Sequence, residues 1–174
     1  MWLRIPFAWL VLAFLALAVA ASCGGSRPGE WKFGDSLAIR SPEKATVTEV
    51  AYTGEDGKHY VLRPSQDGNR LLLVRLIVTN SRAAQVSMRV GPDSVTFLGK
   101  GLSEFASVDP LPGGRAQEVE ETPSEENRYA PFIWGSFDLV QGYQVDGWMV
   151  FEVPPTETAG RLRWDTGDTV YLDL

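Results

Sequence analysis

Hydrophobic residues from Trp31 to the C-terminus alternate with polar ones or form short runs, and Gly, Pro, Asp and Asn interrupt them at short intervals. This period-two spacing predicts β-strands, and no stretch has convincing helical spacing. The strongest segment is RLLLVRLIVTN, residues 70–80, in which the even-numbered residues from Leu72 to Val78 share one face. Because the other face is also largely apolar, we expect a central strand with one face fully buried and the other partly covered.

Turn-forming residues divide the rest of this region into further strands. We expect residues 85–90 and 94–98 to pair around a turn at 91–93, and residues 99–128 to form a long surface excursion with a strand near Phe105. The other predicted strands lie at residues 36–40, 45–52, 60–62, within 129–140, and at 147–153, 162–165 and 169–174. About eight or nine strands with turn signals every ~8–12 residues predict an all-β, antiparallel β-sandwich.

The first 22 residues have a different pattern. Arg4 precedes an uncharged run from Ile5 to Ser22, whose strongly apolar part is shorter than the ~20 residues of a membrane-spanning helix. A positive start, an apolar centre and small residues at the end predict a secretory signal peptide over residues 1–22.

Cys23, the only cysteine of the chain, directly follows Ala20-Ala21-Ser22. This arrangement resembles the lipobox of bacterial lipoproteins, with Ala20 where leucine is usual. The resemblance implies transfer of a diacylglyceryl group to the Cys23 thiol and cleavage before it. The alternatives are an uncleaved N-terminal anchor and an ordinary signal peptide that leaves Cys23 unmodified.

A short tether follows the cysteine. Residues 24–29, GGSRPG, are flexible or turn-forming, so we interpret residues 23–30 as the lipidated cysteine and its tether, and residues 31–174 as the folded domain. Two or three acyl chains attach a protein stably to a bilayer. We therefore expect a lipid-anchored location on the extracytoplasmic side of a cell membrane.

Composition narrows the class of protein. The chain has 174 residues, 44% hydrophobic, with 22 acidic and 16 basic side chains and a net charge of −6. A chain this acidic lacks the clustered Lys and Arg that nucleic-acid binding requires. Its apolar content argues against a disordered chain, and its single cysteine excludes a disulfide scaffold.

Several stretches resemble the immunoglobulin-like domain of unknown function that recurs on bacterial extracytoplasmic lipoproteins. They are residues 33–37, residues 46–50, the end of the long strand at 78–80, and above all GYQVDGWMVFEVP at 142–154. The resemblance implies an immunoglobulin-like sandwich over residues 31–174 and a location in the cell envelope. It supplies no catalytic residues, and the chain departs from the usual pattern between Phe97 and Arg128.

Catalytic and cofactor motifs are absent from the sequence. His59, the only histidine, lies beside Lys58 in an expected turn, and no G-x-S-x-G or phosphate-binding glycine motif accompanies it. We therefore interpret His59 as a solvated turn residue, and we expect neither enzymatic activity nor a cofactor.

Acidic residues are concentrated in two places. Carboxylates are the ligands that Ca²⁺ prefers, which makes them weak candidates for a cation site. A solvated acidic loop and an ordinary hairpin turn explain them better, so we expect no metal site. The candidates are Glu118, Glu120 and Glu121 in the stretch 118–126, and Asp165 and Asp168 around Gly167.

Aromatic residues are frequent after the acidic stretch. Exposed aromatic side chains dominate many binding interfaces, so Trp134, Tyr143 and Trp148 are candidates for contact with a partner. Met149, Phe151 and Val153 alternate along their strand and are expected on its inner face. We therefore expect the neighbouring Trp148 to point outward.

These observations favour a membrane-anchored, non-catalytic binding module of the cell envelope, whose ligand would be an unidentified protein or glycan. Two alternatives remain open. One is a cell-envelope hydrolase of carbohydrates that uses paired carboxylates, and the other is an adhesion module that depends on a divalent cation.

Overall fold

The computed structural model of the protein describes residues 29–101, 103–157 and 159–174. The predicted signal peptide and Cys23 lie outside this part of the chain. No helix long and apolar enough to cross a membrane occurs among the described residues.

The described residues form an all-β fold, as the sequence predicted. They contain thirteen strands, more than the eight or nine expected, because several strands are only two to four residues long. The strands are β1 (Lys32–Phe33), β2 (Leu37–Val47), β3 (Val50–Thr53), β4 (His59–Leu62), β5 (Arg70–Asn80), β6 (Gln85–Val90), β7 (Val95–Gly99), β8 (Glu104–Ala106), β9 (Gln117–Val119), β10 (Gly135–Val140), β11 (Gln144–Val153), β12 (Gly160–Asp165) and β13 (Thr169–Asp173).

Two four-stranded antiparallel sheets enclose the main core. Their strand orders are β1-β2-β5-β11 and β13-β12-β7-β8, and the pair β10-β6 packs against the same core. Leu72 and Val74 of the first sheet share this core with Phe97 and Trp164 of the second. This arrangement confirms the predicted antiparallel β-sandwich.

Strand β5 occupies the central position expected of residues 70–80. It pairs with β2 on one side and with β11 on the other. Its even-numbered residues from Leu72 to Val78 lie in the main core, whereas Leu71 and Leu73 point into a second, smaller core. Of its apolar residues, Ile77 is also buried, so both faces of the strand are covered along most of its length.

The first predicted strand does not end at Ser41-Pro42. Strand β2 continues to Val47, with an irregularity in its register between Arg40 and Glu43. Strand β1 pairs only with Ala38 and Ile39, so Pro42 lies on an edge where no ladder donor is required. The predicted strand 45–52 is divided instead, because β3 leaves for another sheet.

The predicted hairpin of residues 85–90 and 94–98 is wrong. Strand β6 pairs with β10, and β7 pairs with β12 and β8. The turn at 91–94 therefore carries the chain from one sheet to another. A local turn signal indicates where a chain reverses, but it does not select the partner of the next strand.

A second layer covers part of the outer face of the first sheet. It contains β3-β4-β9 and the neighbouring segments of residues 107–133, and it forms the second core with the outer side chains of β5 and β11. Trp148 lies in this core with 5% of its surface exposed, and its ring makes an edge contact with Tyr129 at 5.1 Å. Alternation placed Trp148 on the correct face, but the prediction of exposure is wrong because that face is covered.

The C-terminal hairpin and the strand near Phe105 are confirmed. Strands β12 and β13 pair in register, with Trp164 opposite Val170, and both side chains are buried in the main core. Strand β8 contains Phe105, and β9 is a further short strand within the long excursion of residues 99–128.

Candidate functional site

The three aromatic candidates do not form one surface. Tyr143 is 67% exposed at the turn between β10 and β11. Trp134 is partly buried against the main core, and Trp148 lies in the second core. Of the three, Tyr143 alone is available to a partner through most of its side chain.

His59 does not lie in a solvated turn, so that interpretation is wrong. It begins β4 and is half-buried, with Nδ1 2.5 Å from a carboxylate oxygen of Glu126 and Nε2 3.2 Å from the hydroxyl of Thr122. These contacts attach the end of the acidic stretch to the second layer.

The acidic stretch does not converge on one point. Glu118 pairs with Lys58 at 2.7 Å, and Glu125 pairs with Arg128 at 2.8 Å. Glu120 and Glu121 are both exposed. Within the described residues, no group of three His, Cys, Asp or Glu side chains is arranged to hold a metal ion.

The pair Asp165 and Asp168 stabilises the C-terminal hairpin. Asp165 accepts a hydrogen bond from the hydroxyl of Thr169, and Asp168 accepts backbone N–H bonds from Ser36 and Leu37 at 2.8 and 3.1 Å. Burial raises the pKa of Asp168, but these backbone donors outweigh it and hold the pKa below its ordinary value. Asp168 therefore links the C-terminal hairpin to the first sheet, whereas the carboxylate of Asp165 acts within the hairpin.

The site with the strongest potential for binding was not predicted. A groove of about 580 Å³ lies beside the end of β11, between the connections 63–69 and 107–115. One wall is apolar and consists of Pro92, Phe105, Ala106, Val108 and Pro154, whereas the other residues that line it are Ser65, Gln66, Asn69, Ser107, Asp109, Arg115 and Glu152. We call it the Glu152 groove.

Glu152 holds the two connections together. Its carboxylate accepts hydrogen bonds from the backbone N–H groups of Ser65 and Gln66 at 3.0 Å and from the side-chain amide of Asn69 at 3.0 Å. Arg115 forms an ion pair with it at 2.7 Å. Burial alone would raise its pKa, but the hydrogen bonds from Ser65, Asn69 and Gln66 lower the pKa of Glu152 to about 2.

The walls of the groove are fixed before any ligand binds. Arg115 also donates to the carbonyl oxygen of Arg63 at 3.0 Å, so it links one wall to the other. Asp109 accepts the backbone N–H of Leu111 at 3.0 Å and thereby holds the turn that carries Arg115. A rigid site loses less conformational entropy on binding than a mobile one.

Two further cavities are smaller and more polar. One of about 340 Å³ lies over Arg75 and Asp146, whose side chains form two hydrogen bonds of 2.9 and 2.8 Å with each other. The other, of about 540 Å³, lies beside Glu49 and Arg70. Both have a more polar lining than the Glu152 groove, and none of the three cavities is lined by His59.

The sequence contains one signal for the groove. Glu152 is the only charged residue in GWMVFEV, residues 147–153, which is otherwise a buried strand. An isolated charge in such a strand needs partners, but its hydrogen-bond donors Ser65, Gln66 and Asn69 are 83 to 87 residues away along the chain, and Arg115 lies in another distant connection. Local patterns therefore do not reveal the groove.

Comparison with known proteins identifies no family. No protein-family model matches the chain, and no curated protein matches it. Two solved structures are similar in shape, each with 10% sequence identity. An uncharacterized β-sandwich protein from Clostridium difficile 630 aligns over 80% of this chain and 88% of its own with a TM-score of 0.43, and a functionally unknown protein from Listeria monocytogenes EGD-e aligns over 78% and 69% with a TM-score of 0.39.

Proposed function

We propose that this protein is a lipid-anchored, extracytoplasmic lipoprotein whose immunoglobulin-like β-sandwich is a non-catalytic binding module of the cell envelope. Acyl chains on Cys23 attach it to the bilayer, and the Glu152 groove binds its ligand, a protein segment or a glycan. The lone cysteine after Ala20-Ala21-Ser22 supports the anchor.

The observation that carries the binding role is the construction of the groove. Its volume of about 580 Å³ lies in the range of ~300–1,000 Å³ that is typical of ligand sites. An apolar wall around Phe105 faces the polar side chains of Gln66 and Ser65. This combination suits a ligand with one apolar and one polar face, such as a sugar ring or an extended peptide.

The state of Glu152 supports binding rather than catalysis. A carboxylate that acts as a general acid near neutral pH needs a raised pKa, whereas the pKa of Glu152 is about 2. Its oxygen atoms are already occupied by donors from Ser65, Gln66 and Asn69. Glu152 therefore shapes the groove and stays ionised.

The test is capture of a ligand by the full chain in membranes. Gln66 is exposed at the groove, and its N–H bond to Glu152 is independent of its side chain, so Gln66→Trp fills the groove without removing that bond. We expect this variant to retain at least tenfold less cross-linked protein or glycan from envelope extract than the unchanged chain. Gln85→Trp, at an exposed position on β6, is the matched control and should retain the same amount.

Two results would contradict the proposal. Equal capture by the Gln66→Trp and Gln85→Trp variants would exclude the groove as the binding site. Conversion of a captured glycan into a shorter product by the unchanged chain would show a hydrolase.

A further inference from the structure

An aromatic and cationic corner lies where the described chain enters the sandwich. Trp31 directly precedes β1, Phe33 ends β1, and Phe33 is directly opposite Ala38 on β2. Phe33 is 64% exposed, and the guanidinium of Arg40 lies over the Trp31 ring at 4.8 Å. We call Trp31, Phe33 and Arg40 the β1 corner.

The β1 corner has no cover within the described part of the chain. The second layer packs on the outer side chains of Leu71, Leu73 and Val150, near the other end of the sheet. Arg40 has no carboxylate partner among the described residues, and its buried Nε atom has no hydrogen-bond acceptor there. The corner therefore offers an exposed aromatic ring beside a cation that lacks a counter-ion.

The length of the tether places the β1 corner within reach of the anchor. Cys23 precedes Gly29 by six residues, so the chain between them spans at most about 21 Å. Phe33 follows Gly29 by four residues, or about 13 Å of extended chain. A bilayer that holds Cys23 can therefore contact Phe33 without stretching the tether.

The Glu152 groove lies at the opposite edge of the same sheet. Strand β11 is separated from β1 by three strand spacings, about 14 Å, in the order β1-β2-β5-β11. Contact of the β1 corner with a membrane would leave the groove open to the extracytoplasmic space. The proposed anchor and the proposed ligand site are then compatible.

The local charge also permits such a contact. The chain as a whole has a net charge of −6, but residues 29–47 contain three basic and three acidic side chains. Anionic lipids would repel most of this acidic domain, whereas its neutral first two strands avoid that repulsion. Aromatic side chains are enriched at the level of the lipid headgroups, and Arg binds phosphate.

We propose that the β1 corner docks on the phospholipid surface to which Cys23 is attached. Phe33 and Trp31 lie at the headgroup level, and the guanidinium of Arg40 binds a lipid phosphate. This inference rests on the proposed acylation of Cys23. It adds a defined orientation of the domain, with the β1 corner toward the bilayer and the Glu152 groove away from it.

The test uses the full chain in vesicles of phosphatidylcholine and phosphatidylglycerol, with and without brominated acyl chains. Acylation blocks Cys23, so Phe33→Cys and, as the control, Leu111→Cys each carry one free thiol for a polarity-sensitive fluorophore. Leu111 is an exposed apolar residue in the connection beside the groove. Intact mass of each protein first establishes whether Cys23 is acylated, which tests the proposed function separately.

We expect the fluorophore at position 33 to shift its emission to shorter wavelength and to lose at least half of its intensity in brominated vesicles. The fluorophore at position 111 should change in neither respect. With acylated Cys23, equal emission and quenching at both positions would overturn the orientation.

Arg40→Gln in the chain labelled at position 33 tests the phosphate contact. We expect the quenched fraction to fall at least twofold, because the cation that holds the corner at the headgroups is lost. Arg161→Gln is the matched control, since Arg161 lies over the ring of Tyr171 on the other sheet. Equal quenching in both variants would overturn the role of Arg40.

Discussion

Single residues determine how the Glu152 groove is built. Glu152 is bonded to Ser65, Gln66, Asn69 and Arg115, which belong to two separate connections of the chain. Removing one partner of a buried, charged hydrogen-bond network costs more than the average hydrogen bond contributes, because the other groups lose their partner. The groove therefore depends on this carboxylate more than on any residue of its apolar wall.

We predict that Glu152→Gln lowers the free energy of unfolding by about 1–3 kcal/mol at pH 7. The pKa is about 2 in the folded state and 4.5 as the ordinary value, so the stabilising effect is complete above pH 4.5 and is lost as the pH falls toward 2. Urea unfolding at pH 7 and at pH 2.5 measures both values. Glu55→Gln, at an exposed turn position, is the control. A difference between Glu152→Gln and the unchanged chain that is as large at pH 2.5 as at pH 7 would contradict the prediction.

Individual elements show how far local sequence patterns determine this fold. Alternation located β5, β11 and the C-terminal hairpin, because side chains of one parity in each strand lie in the main core. It did not determine strand partners, since β6 and β7 follow one another but belong to different sheets. The second layer was missed because its strands are short and its contacts join distant parts of the chain.

The effect of replacing Trp148 on stability tests whether the second layer covers the outer face of β11. We predict that Trp148→Ala lowers the free energy of unfolding by about 3–5 kcal/mol, because it leaves a cavity between Tyr129 and β11. Tyr143→Ala should change it by less than about 0.5 kcal/mol, since Tyr143 is largely exposed. Equal effects of the two variants in urea unfolding would show that the outer face of β11 is not covered.

Asn80 joins the end of β5 to the β10–β11 turn. Its buried amide donates hydrogen bonds to the carbonyl oxygens of Ala83 and Leu139 at 2.9 and 2.8 Å. We predict that Asn80→Ala lowers the free energy of unfolding by about 1–3 kcal/mol, because these buried acceptors lose their donor.

The matched control for Asn80 is its neighbour Thr79, which is half-buried on the outer face of the sheet. Thr79→Ala should change the free energy of unfolding by less than about 0.5 kcal/mol. Urea unfolding of the two variants tests the difference. Asn80→Ala with the stability of the unchanged chain would contradict the assigned role.

At the scale of the whole molecule, the proposed anchor and tether precede a domain with two distinct surfaces. The composition of residues 1–30 and the position of Cys23 predict the cellular location, and both features are local in the sequence. The Glu152 groove arises only when distant segments meet, and the β1 corner needs the pairing of β1 with β2. The sequence therefore predicts the sandwich and the anchor, whereas the candidate sites become visible only in the fold.

Acylation of Cys23 is the most direct test of the central claim that this is a membrane-anchored binding module. The full chain, expressed in a bacterial host with an alkyne analogue of palmitate, is fractionated, and its N-terminal peptide is analysed by mass spectrometry. We predict a diacylglyceryl-modified Cys23 in the membrane fraction for the unchanged chain and for the control Ser26→Ala, and loss of label in Cys23→Ser. An unlabelled, unmodified Cys23 in the unchanged chain would contradict the account.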